Sequence, residues 1–158
     1  MLQIDSTIDA KLIEALGRIV ILWAYVEMLS GVVLAHLLRA DDGAVHVVTQ
    51  NVSHAAITDW VRTLVGIRYP DTPDRQAILD LLTDTETLRA QRNILVHGQW
   101  TAGPTNGCAT VQTLKLERSE VLRTELQTCP DLEHLKEEIG DLVFRWNTLC
   151  AALKGTRV

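Results

Sequence analysis

Arg89, Arg92, Asn93 and His97 form the one stretch of this 158-residue chain in which several chemically capable polar groups recur at helical spacing between apolar residues. At 3.6 residues per turn Arg89, Asn93 and His97 stack along one stripe, with Arg92 on its flank, while Leu88, Leu95 and Val96 supply an inward-packing side. Gly98 follows directly and reads as the helix stop, because glycine enters the left-handed conformation cheaply. An imidazole and a guanidinium fork together offer proton transfer and positive charge for an anion such as a phosphate. Arg92 and His97 lie about 140° apart around a helix, too wide for one tight pocket but suited to a site shared across a two-fold axis. Asn93 would orient the phosphate or the imidazole, and Arg89 would add charge. Trp100, three residues on, reads either as a base-stacking platform or as packing. The plainer alternative for the whole stretch is a surface helix end whose Arg92 and His97 only cap and pair.

The run Arg92-Asn93-Ile94-Leu95-Val96-His97, with four residues between the Arg and the His, resembles the Arg-x4-6-His signature of the HEPN superfamily. The rest of the chain fits that resemblance: a long apolar first helix with Trp23 and Glu27, the motif helix, a short insert and a last amphipathic helix. The resemblance implies an all-α domain that dimerises with its two motifs facing each other. In many members that pair is a metal-independent endoribonuclease of toxin-antitoxin or defence systems, working without a cofactor. It further implies Arg92, Asn93 and His97 as the catalytic set, with RNA, a second copy of the chain and an antitoxin protein as partners. The alternative it leaves is a non-cleaving dimer that binds RNA, a nucleotide or a protein through the same cleft. One branch of the superfamily carries a Tyr two positions after the His; Gln99 stands there, so that branch's tyrosine-modified arrangement is not supported. Glu27 reads as an ion-paired or partner-facing carboxylate within an apolar helix, or as a group orienting Arg92 or Arg89.

Composition narrows the class. A hydrophobic share of 47% in 158 residues supplies the core of a single domain spanning 1–158, and four prolines with nine glycines favour helices over a sandwich of short strands. The formal charge of −5 argues against a protein that coats nucleic acid through a broad basic surface; a focused cleft remains compatible with it. Cys108, Cys129 and Cys150 show no zinc-ligand spacing and suit a reduced cytoplasm, and the start MLQIDSTIDAKL lacks the pattern of a signal peptide. No metal is expected: Asp80, Asp84 and Glu86 read as solvent-facing charge, and His46 and His54 as solvated or packing histidines. Ile19 to Leu38 is long enough to span a bilayer, but Glu27 and His36 within it favour a bundle helix and no membrane.

These elements must position the motif. The first helix is expected from Ile8 to Leu38, capped by Asp5 or Ser6 and stopped by Asp41-Asp42-Gly43. It is apolar almost all round, which predicts cover from its own bundle on one side and from a second subunit on the other. Ala44–Val52, Val-rich, fits either a helical turn or an extended piece and is read as helix because no partner strand is nearby, and Ser53 caps another helix reaching Ile67. Tyr69–Pro73 is a turn, with Thr72 as cap and Pro73 opening the motif helix to His97. Gln99–Arg118 reads as a β-hairpin around Asn106-Gly107, and Ser119–Gln127 as a connector open to helix. Thr128 or Cys129 caps the last helix, whose stripe of Leu132, Leu135, Ile139, Leu142, Trp146, Leu149 and Leu153 ends before Gly155. The expected fold is an all-α, four-helix HEPN-like bundle with a small hairpin between helices three and four.

Overall fold

The computed structural model describes residues 8–69, 73–117 and 119–155. It is mainly α-helical with a small antiparallel sheet. In chain order the elements are α1 (Ala10–Leu38), α2 (Asp42–Thr49), α3 (His54–Arg68), α4 (Pro73–His97), β1 (Gln99–Ala102), β2 (Cys108–Glu117), β3 (Ser119–Thr128) and α5 (Cys129–Gly155).

Local chemistry explains the helix ends. Asp9 starts α1: its carboxylate accepts from Lys11 N at 2.9 Å and its carbonyl from Leu12 N at 3.0 Å. The expected caps, Asp5 and Ser6, lie outside the described residues, and the helix begins two positions later than the expected Ile8. Its stop also differs from expectation. Arg39 takes a left-handed φ of 55°, Ala40 N donates to Ala35 O and Arg39 N to His36 O, both at 3.0 Å, which closes the helix before the Asp41-Asp42-Gly43 run. That run instead opens α2, with the Asp41 carboxylate accepting from Gly43 N and Ala44 N at 2.9 and 3.2 Å. Ser53 caps α3 as expected, accepting from Ala56 N at 3.3 Å. Pro73 opens α4 as expected, while the expected cap Thr72 lies outside the described residues. Thr128 and Asp131 form a reciprocal cap on α5. Thr128 N donates to the Asp131 carboxylate at 2.9 Å, and Asp131 N donates to the Thr128 hydroxyl at 3.4 Å.

The hairpin is present and larger than expected. β1 pairs antiparallel with β2 from Gln99↔Gln112 to Ala102↔Ala109, and the turn between them ends at Gly107, whose φ of 80° needs glycine. The stretch expected as a connector is the third strand, β3, paired with β2 from Cys108↔Thr128 to Glu117↔Ser119. In sequence, Leu122 and Leu126 stand four apart among helix formers, and only the partner strand overrides that local preference.

The chain forms two compact units, Met1–Leu22 with Leu88–Ile139, and Trp23–Thr87 with Gly140–Val158. The first contains the sheet and the motif; its buried set includes Leu12, Leu16, Ile19, Leu95, Trp100, Val111, Leu132, Leu135 and Ile139. The second is helical. Its Trp23 and Trp146 are almost fully buried; Trp146 Nε1 donates to the Thr85 hydroxyl at 3.0 Å, and that hydroxyl donates to Leu81 O at 2.7 Å. His54 is buried as well, edge-on to Trp23 at 5.4 Å between ring centroids, with Nε2 3.1 Å from Ser30 Oγ. Helix α1 is long and apolar enough to cross a bilayer by length and composition, with 44% of its most apolar window buried. Ile13, Val20 and Ile21 are exposed in the first unit, Tyr25 and Met28 in the second.

Trp146→Ala is expected to lower the unfolding free energy by about 3–5 kcal/mol, combining lost burial with the loss of the hydrogen bond that the Thr85 hydroxyl accepts from the indole. Urea denaturation followed by far-ultraviolet circular dichroism measures it; a loss under about 1 kcal/mol would show that this tryptophan does not anchor the helical unit.

Candidate functional site at the end of α4

The last turns of α4 belong to the first unit and are anchored from beneath by Leu88 and Leu95, 7% and 2% exposed. The polar residues predicted as a stripe do surface. Arg89, Arg92 and Asn93 are half-buried and His97 is exposed. Arg92 Nη1 donates to Asn93 Oδ1 at 3.0 Å, which holds the guanidinium beside its neighbour and leaves the Asn93 amide nitrogen as a donor. The Arg89 Nε is buried and makes no hydrogen bond among the described residues. The His97 ring likewise makes none among them, so a solvent-facing imidazole stands at the helix end with both nitrogens available. Proton transfer at His97 and anion binding at the arginines are the chemistry this helix end can do.

What fixes that end is a direct passage from helix to strand with no intervening loop. Gly98 N closes the helix on Ile94 O at 3.0 Å, and the next residue is already paired in β1. A Cβ on Gly98 would lie 2.3 Å from Val111 Cγ1 and 2.6 Å from Ile94 O. Gly98 therefore serves close approach, not the left-handed turn expected of it; among the described glycines the positive φ belongs to Gly107. Trp100 is 3% exposed, shares a pocket with Ile8, Leu12, Ile13 and Leu16, and donates its indole N–H to Leu95 O at 2.7 Å. Of its two expected roles the structure shows packing. It satisfies a carbonyl that the helix end would otherwise leave open.

Glu27 lies in the second unit, exposed rather than buried, with Oε1 accepting from Trp23 Nε1 at 3.0 Å. Within that unit it borders a cavity of about 620 Å³ together with Met28, Val32, His46, His54 and Ile57. Three carboxylates of α4 are dispersed among separate partners: Asp80 with Gln76, Asp84 with Arg145 and Glu86 with Arg62. Among the described residues no group of three His, Cys, Asp or Glu side chains is placed to hold a metal ion. Beyond the residues expected from the sequence, Gln99 and Thr101 stand opposite Gln112 and Thr110 on the side of β1 and β2 away from Trp100 and Val111. The period-two alternation of a strand is the signal that places them together.

No protein-family model matches this chain, and neither a curated protein nor a solved structure is significantly similar to it.

Gly98→Ala is expected to cost about 1–3 kcal/mol in stability, since Val111 and the Ile94 carbonyl must yield to the new methyl group. Thermal or urea unfolding of the purified variant decides it; an unchanged midpoint would mean that the passage from α4 to β1 has slack.

Proposed function

We propose that the chain is a HEPN-like, metal-independent endoribonuclease of the toxin or defence type, working as a homodimer. The observation that carries this reading is the exposed His97 at the end of α4, five residues after an Arg92 held by Asn93, in the order of the Arg-x4-His motif. His97 would take the 2′-hydroxyl proton so that the oxygen attacks the adjacent phosphorus. Arg92 would neutralise the phosphorane, and the 5′-oxygen would leave with a proton, giving a 2′,3′-cyclic phosphate. One imidazole per chain serves the base and acid steps together only with difficulty. A second copy placing its own His97 and Arg92 across a two-fold axis supplies both. The exposed Ile21, Tyr25 and Met28 of α1, at 61%, 51% and 54%, support a second copy as partner, since large apolar side chains crowded along one helix favour cover. A non-cleaving dimer that binds RNA, a nucleotide or a protein partner at the same place is the reading that replaces this one if cleavage fails.

Purified protein in chelator should cut a mixture of structured RNAs into products with cyclic phosphate ends. His97→Ala and Arg92→Ala should each reduce the rate about 10²-fold or more, the scale for losing an acid-base group or a charge-stabilising donor. No cleavage by wild type, or equal cleavage by all three proteins, would remove the nuclease and leave the binding dimer.

A further inference from the structure

Immediately beyond His97 the chain builds a surface whose chemistry is unusual for this protein. Alternation in β1 and β2 sends Trp100, Ala109 and Val111 to the buried side, at 3%, 0% and 0% exposure. The opposite side carries two cross-strand rows: Gln99–Gln112–Thr124 and Thr101–Thr110–Leu126. Gln99, Thr124 and Leu126 are exposed and the other three half-buried. None of the six is charged, although charged residues make up 22% of the chain and its formal charge is −5. Solvent-facing sheets, and edge strands above all, usually carry Lys and Glu to stay soluble and to discourage pairing. Here two amides, three hydroxyls and a leucine occupy those positions instead.

We infer that this face reads the bases of single-stranded RNA, with Gln99 and Gln112 as the specificity-determining pair. The inference rests on the endoribonuclease reading for where the scissile phosphate lies. Three features carry it. A glutamine amide offers a donor and an acceptor on one edge, which is the pattern of a nucleobase edge, and two such amides stand directly opposite each other in the register. None of these six positions carries a carboxylate, so a phosphodiester chain laid across them meets no repulsion from them on an otherwise acidic molecule. Gln99 follows His97 by two residues, a backbone reach of about 7 Å, so a base next to the reacting phosphate falls within range of the amides. The face has no aromatic platform among these positions, which makes recognition depend on hydrogen-bonded edges, and only unpaired RNA exposes those edges. Thr101, Thr110 and Thr124 are placed to bond ribose hydroxyls or the remaining base atoms.

The test uses a random pool of single-stranded 2′-fluoro RNA, which lacks the attacking hydroxyl, and the intact protein as wild type, Gln99→Ala, Gln112→Ala and Gln112→Glu. Wild type should enrich particular bases at one or two adjacent positions. Gln112→Ala should flatten that enrichment about tenfold, the discrimination of one good amide-to-base pair, and Gln112→Glu should weaken binding of every sequence, with melting temperatures unchanged in both. Identical enrichment by wild type and both alanine variants, tighter binding of duplex than of single strands by wild type, or no RNA binding by wild type would each overturn the inference. Matching ribo-oligonucleotides separate the two readings. Selective binding that depends on Gln112 without cleavage sinks the nuclease and keeps the base-reading face. Cleavage with the same sequence preference in Gln112→Ala does the reverse.

Discussion

The constraint on which the motif-bearing unit depends is the contact between the end of α4 and strand β2 at Gly98. A helix end leaves open carbonyls, and a loop of ordinary length would let the last turn fray. Here there is no loop: Gly98 is hydrogen-bonded into the helix, its missing Cβ lets Val111 pack against the backbone, and the following residue is in the sheet. Trp100 then reaches back to Leu95 O, so one buried indole both fills the core and ties strand to helix. The backbone at His97 is thus fixed by packing on either side of it, while its exposed side chain makes no hydrogen bond among the described residues.

A second constraint acts on α1. Its buried stripe from Leu12 through Val33 meets the usual demand of a core helix, yet Ile21 and Met28 on other sides remain more than half exposed. Burying such residues gains roughly 25 cal/mol per Å² of apolar surface. Leaving several of them in water along one helix forgoes that gain. The sequence raises the expectation of a second subunit on that side for this reason. Glu27 lies among these residues without the cost of a buried charge, since its exposed carboxylate accepts the Trp23 indole N–H.

Much of this was legible in the sequence because the deciding interactions are local. Ser53, Pro73 and the Thr128 cap lie where helix chemistry puts them, and the Asn106-Gly107 turn announces its hairpin. The errors have local logic as well. Asp41-Asp42-Gly43 looks like a stop, but an aspartate before a helix is equally a cap, and Arg39 had already ended α1 in a conformation that sequence rules reserve for glycine. β3 was missed because Leu122 and Leu126 fall at helical spacing, and the hydrogen bonds that make it a strand come from β2. Gly98 was correctly marked as special for the wrong reason. A close approach depends on what packs opposite, and Val111 is thirteen residues away in sequence.

Net charge gives the last step. A chain with a formal charge of −5 repels polyanions at long range, so any attraction to RNA must be local and short-ranged. On the proposed reading Arg89 and Arg92 at the end of α4 would provide it, and the six uncharged positions Gln99, Thr101, Thr110, Gln112, Thr124 and Leu126 would add no opposing charge. A protein built this way gains little from non-specific phosphate contacts, whose strength scales with the number of cations offered. On the proposed reading, affinity would have to come from contacts that depend on geometry, hydrogen bonds to base edges and ribose made where the strand is unpaired. The acidic body would then favour selectivity, because sequences that fail to satisfy the amides would have almost nothing else to hold them.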